Sequence, residues 1–112
     1  MYAVTPCRVL DTRTAGGPFH GELDIDVQAS ACAPPANAQG FMVGATVVPP
    51  TALGYLTLWG HRLHQPNAST LNDYDAAIAS NMAIVATTDG SISAYATDPT
   101  NLLLDLLAYV AP

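Results

Sequence analysis

The chain has 112 residues, of which 50% are hydrophobic and only 11% charged. Its basic residues are Arg8, Arg13 and Arg62 alone, against nine acidic ones, for a net charge of −6. This excludes a nucleic-acid binder that works by phosphate neutralisation, because no basic patch exists to displace counterions. It excludes a polybasic membrane anchor, and an apolar half excludes disorder. The length fits one domain, residues 1–112. So little charge leaves few groups to solvate the surface: either Ser, Thr, Asn and Gln cover it, or part of it is buried by self-association.

No segment carries the period of a long amphipathic helix. Short β-rich runs recur between Pro, Gly, Asn and Asp, the pattern of an all-β sandwich or barrel. Tyr2–Asp11 is the first run, and Pro6 within it argues for an edge strand. Thr14–Pro18 reads as a loop. Glu22–Ala29 alternates, with Glu22, Asp24 and Asp26 on a wet face and Leu23, Ile25 and Val27 on a core face. Ala33–Asn37 is a stiff connector. Gly40–Val48 is apolar on both faces, as a central strand is, and Pro49-Pro50 ends it. Tyr55–Trp59 is short, with Tyr55, Thr57 and Trp59 sharing one face. Gly60–Ser69 is a polar loop.

Thr70–Asn72 reads as a brief pairing, Ala76–Ser80 as a single helical turn, and Met82–Ala86 as an apolar strand. Asp89-Gly90 signals a hairpin into Ser91–Thr97. Asp98–Asn101 reads as a turn, and Leu102–Val110 as the last strand. That makes about eight strands, suited to a two-sheet sandwich or jelly roll.

Met1–Pro6 has neither a basic nor an apolar signal region. This fits a chain whose secretory segment has been removed, or a segment of a longer one. Leu102–Val110 is the longest apolar stretch, is interrupted by Asp105, and falls far short of the ~20 residues that span a bilayer. Two cysteines, Cys7 and Cys32, in a small β-type chain suggest a disulfide and export; the alternative is two buried free thiols. With His20, His61 and His64 they show no metal-ligand spacing.

Thr5-Pro6-Cys7-Arg8-Val9-Leu10-Asp11-Thr12-Arg13 resembles the TPCR-x-x-DTR opening of a module found in secreted proteins of soil bacteria, acidobacteria and actinobacteria especially. The likeness runs on through Cys32–Ala36, Val47–Pro50, Gly54–Trp59, Ser69–Asn72, Asn81–Val85, Gly90–Tyr95 and Leu104–Tyr109. It covers nearly the whole chain. The resemblance implies export, a Cys7–Cys32 bond and a non-catalytic extracellular module, with no established ligand. The chain departs from that pattern at Leu107–Val110, where Gly-Tyr-Phe is usual, and at Asp73-Tyr74-Asp75, where a glycine turn is common.

Arg8, Asp11 and Arg13 could clamp an anion, since Arg forks match carboxylates. They read better as a structural ion-pair network. Asp105 shares a face with Leu103, Leu107 and Tyr109. As a buried carboxylate it needs a partner, and Arg8 or Arg13 supplies one. Glu22, Asp24 and Asp26, and the pair Asp73 and Asp75, lack any calcium-motif spacing and read as solvated acidic faces. His61 and His64, three apart, lie in a loop rather than on a helix. Trp59, Tyr55 and Tyr74, with Tyr95, could form a platform for a sugar, although aromatics in a sandwich more often fill the core. Asn67-Ala68-Ser69 matches a glycosylation sequon weakly. No nucleophile elbow or phosphate loop is present.

These features lead to a bacterial extracellular or cell-surface module, not an enzyme, without cofactor or metal. It is expected to self-associate into an assembly, a filament if the contact is head-to-tail and does not close, using apolar strands Gly40–Val48 and Leu102–Val110 and the edge residues Tyr2–Thr5. The alternative is a carbohydrate-binding module using Trp59, Tyr74, Asp73 and Asp75. Neither reading involves nucleic acid or membrane insertion.

Overall fold

A computed structural model describes all 112 residues. It is all-β, without a helical segment. Seven strands form the domain: β1 Tyr2–Asp11, β2 Phe19–Asp26, β3 Gly40–Val48, β4 Leu53–Gly60, β5 Leu71–Asp73, β6 Ala79–Ala86 and β7 Ser91–Val110. One disulfide, Cys7–Cys32, links β1 to the loop after β2, with a Cα–Cα distance of 5.8 Å.

The organising element is β7. Its second half pairs with β1 on one side and β3 on the other, and β6 extends that sheet beyond β3. Its first half pairs with β2 and β4, and β5 lies beyond β4. All these pairs are antiparallel. A flat strand of 20 residues would run about 66 Å at the usual rise, yet the molecule's longest extent is 40 Å. β7 therefore bends as it passes from one sheet to the other. The sequence pattern predicts a turn at Asp98–Asn101, but the strand is continuous there. The proline is tolerated because no ladder partner pairs with Thr97, Asp98 or Pro99, so its missing N–H is not needed.

Alternation fixes which faces meet. Leu102, Leu104, Leu106 and Ala108 point inward with Ile92, Ala94 and Ala96 of the same strand. They meet Phe41, Val43, Ala45 and Val47 of β3 and Leu53, Leu56 and Leu58 of β4. Gly40–Val48 is the internal strand its composition predicts, flanked by β6 and β7. β1 is an edge strand, bulged between Ala3 and Cys7 around Pro6.

Two further local expectations fail. Ala76–Ser80 forms no helical turn: Ala76 takes φ +61°, outside the helical region, and Ala79 and Ser80 already belong to β6. The Asp89-Gly90 turn joins strands that do not pair with each other, since β6 bonds β3 while Ser91 onward bonds β2 and β4. The dipeptide signal reflects the positive φ of Gly90, which is present at +82°. Thr87 closes this turn instead of a ladder, its Oγ1 donating to Ser91 O and accepting Gly90 N–H.

Candidate binding cleft

On the first half of β7, Ile92, Ala94 and Ala96 face inward, so Ser93 and Tyr95 fall on the outer face of their sheet. Register sets Glu22, Tyr95 and Thr57 in one row across β2, β7 and β4, and Asp24, Ser93 and Trp59 in the next. The Gly60–Ser69 loop folds back over this face. Thr57 Oγ1 donates to Ala68 O at 2.9 Å, Thr70 N–H donates to Leu56 O at 2.8 Å, and Leu58 N–H donates to Thr70 Oγ1 at 3.0 Å. Thr57 is thereby buried.

Between that loop and β5 lies an open cleft of about 310 Å³. Tyr55 and Tyr74 line it together with amide and hydroxyl groups of Gln65, Asn67, Ser69 and Asn72. No residue lining it carries a charge. Tyr74 is 74% exposed and Tyr55 is 37% exposed, and the Tyr55 ring lies 6.1 Å from that of Tyr95 in a tilted pair. β5 sets the alternation that presents these groups: Leu71 and Asp73 turn inward, while Asn72 turns out to the cleft.

The aromatic platform expected from the sequence is thus divided. Tyr55 and Tyr74 share the cleft, but Trp59 is only 7% exposed and is not part of it. The expectation that Trp59 offers a stacking surface is corrected: it pairs with Ser93 on the outer face of the sheet and is buried there. The sequence reading also missed the contribution of Gln65–Ser69, since nothing in a polar loop announces which strand it will cover.

Asp73 is the one buried acidic residue, and its Oδ2 has no hydrogen-bond partner. This corrects its reading as part of a solvated acidic face. Burial, followed by the nearby Asp75 carboxylate, pushes Asp73 above the ordinary carboxylate range. The Ala77 N–H, followed by Asp73, holds Asp75 below it.

The four residues of the ion-pair network do come together. Arg8 Nε donates to Asp105 Oδ1, and Arg8 Nη1 lies 3.4 Å from Asp11 Oδ2. Arg13 grips Asp11 through Nε at 3.1 Å and Nη2 at 3.0 Å, and holds its carboxyl below the usual range. The network lies at the surface, however. Asp105 is on the outer face of β7, opposite the core-facing Leu104 and Leu106, and its side chain is 31% exposed. Thr12, between the two motif charges, points inward and is buried.

A second cluster went unrecognised in the sequence. His61 Nδ1 lies 2.8 Å from Asp89 Oδ2, and His61 Nε2 lies 3.6 Å from Asp24 Oδ2. Ser93 Oγ donates to the other oxygen of Asp24 at 2.7 Å. The imidazole faces carboxylates on both sides and does not reach the serine, so the order of contacts is not that of an activated nucleophile. Its members lie 24, 61, 89 and 93 along the chain; sheet register sets Asp24 beside Ser93, while His61 directly follows β4 and Asp89 sits in the turn before β7.

No family model matches the chain, and neither the curated proteins nor the solved structures compared with it give a match.

Proposed function

We propose that this domain is a non-catalytic extracellular module that binds a neutral polysaccharide at the Tyr55–Tyr74 cleft. The observation that carries this reading is an uncharged cleft with two exposed tyrosines among amide and hydroxyl groups. Sugars offer apolar ring faces that stack on aromatics and hydroxyls that pair with amides, and the cleft supplies both kinds of group. A polyanion would be repelled by the net charge of −6. The disulfide is compatible with an oxidising, extracellular setting. The test is binding to a panel of insoluble and soluble polysaccharides. Saturable binding that Tyr74→Ala and Tyr55→Ala abolish supports the proposal; no binding, or binding indifferent to both changes, overturns it.

A second reading, self-association into a surface assembly, is favoured by a different observation. Met82 and Ile84 on β6 are 62% and 63% exposed. They stand across from Gly44 and Met42 of β3, and neither strand has a charged residue. A second copy is the occupant this patch suits, because two such faces meet without bringing like charges together. Light scattering on the wild type and a Met82→Lys/Ile84→Lys double variant tests this. Of the segments first expected to mediate it, Gly40–Val48 and Leu102–Val110 are internal strands, whereas Tyr2–Thr5 lies on β1, which pairs with β7 on one side only.

A further inference from the structure

The turn after β5 places two carboxylates against each other with no base between them. Asp73 is 4% exposed, stands opposite Leu53 in the β5–β4 ladder, and leaves Oδ2 buried without a hydrogen-bond partner. Asp75 follows two residues later at the surface, and its Oδ1 accepts the Ala77 N–H at 3.3 Å. No arginine or histidine forms an ion pair with either one. A buried carboxylate oxygen without a donor requires a cation or a proton. A proton shared between the two groups neutralises one of them; a divalent cation neutralises both and gives the orphaned oxygen a partner.

We propose that Asp73 and Asp75 bind a calcium ion. The donors are oxygens alone, in an irregular turn. This suits the flexible six- to eightfold oxygen coordination of calcium, with water completing the shell, better than the strict octahedron of magnesium. No cysteine or imidazole is at hand to favour zinc. Asn72 and Tyr74 alternate with the two carboxylates along the chain and line the cleft, so the ion fixes the segment that carries one wall of it. The proposal stands independently of what the cleft binds.

The full chain, freed of metal with a chelator, is titrated with calcium chloride at pH 7 by calorimetry, and its melting temperature is followed in parallel. The expected result is saturable binding with Kd of about 10⁻⁴ to 10⁻³ M, the range of extracellular calcium modules. A rise of about 6–12 °C in melting temperature at ~10 mM calcium accompanies it, with a smaller response to magnesium. Asp75→Asn, at an exposed position, keeps the fold and loses both responses; Asp73→Asn, checked for folding by circular dichroism, does the same. No saturable heat and no thermal shift in the wild type overturns the proposal and leaves a shared proton as the partner. Unchanged calcium affinity in Asp75→Asn overturns the assignment to this pair.

Discussion

Thr12 Oγ1 accepts the backbone N–H of Leu102 at 2.8 Å, and the Thr12 N–H donates to Leu102 O at 3.1 Å. The same hydroxyl donates to Asn101 Oδ1 at 3.0 Å. One side chain thus closes the end of β1 onto β7 just past its bend. Leu102 is fully buried, so its N–H has no solvent to turn to. Thr12→Ala is expected to lower stability by about 1–3 kcal/mol, the cost of a buried donor left unpaired. Thr12→Ser, which keeps the oxygen, is expected to recover most of it. Urea denaturation of the three proteins measures both.

The flanking charges of the same motif are expected to matter less. Arg8 and Asp105 are 46% and 31% exposed at their side chains. Surface pairs contribute about 0–1 kcal/mol, so Asp105→Asn should fall in that range and its effect should shrink in high salt. A loss of several kcal/mol in the same denaturation assay would contradict this placement.

The disulfide closes a 25-residue separation. In the chain-entropy model this contributes about 3.5 kcal/mol. The Cys7→Ala/Cys32→Ala double variant is expected to lose about that much, and the wild type should respond in the same way to a reductant. The edge strand β1 should be the first element to exchange its amide protons once the link is gone.

The aromatic residues are expected to separate into two groups. Trp59→Ala removes a large buried side chain and should cost about 3–5 kcal/mol, seen as a drop in melting temperature. Tyr74→Ala, at a position 74% exposed, should leave the melting temperature almost unchanged while removing polysaccharide binding.

Acid should weaken the fold through carboxylates held below their ordinary pKa. Asp98 accepts the Gly54 N–H and the Thr97 hydroxyl, which lower its pKa from 3.8. A lowered folded pKa means that its stabilisation is present above about pH 4 and fades as pH falls through the folded value. Asp11, held down first by the Arg13 hydrogen bond, and Asp89, held down first by His61, act in the same direction. Asp98→Asn is therefore expected to flatten the acid limb of a stability–pH curve recorded between pH 2 and 6.

The sequence made the strand content legible because burial leaves a period of two. Glu22, Asp24 and Asp26 alternate with Leu23 and Ile25 both in the chain and in the structure. Gly40–Val48 matches its strand end to end. The bend in β7 was hidden because Pro99 with flanking Asp and Asn looks like a turn. Whether a proline ends a strand depends on its neighbours' ladders, which local sequence does not contain. The burial of Trp59 was hidden for the same reason, since period-two counting identifies a shared face but not what covers it. In the cleft, Tyr55 and Tyr74 could be picked out as aromatics; the loop residues between them could not.

β7 has four direct partner strands, and every one precedes it in the chain. Without it, only the β3–β6 and β4–β5 ladders remain, and the two halves of the core share no backbone. Folding is therefore dominated by distant pairings, which form slowly. During synthesis the hydrophobic strands emerge before the element that unites them, so the growing polypeptide stays uncommitted to its final shape until that last ribbon arrives.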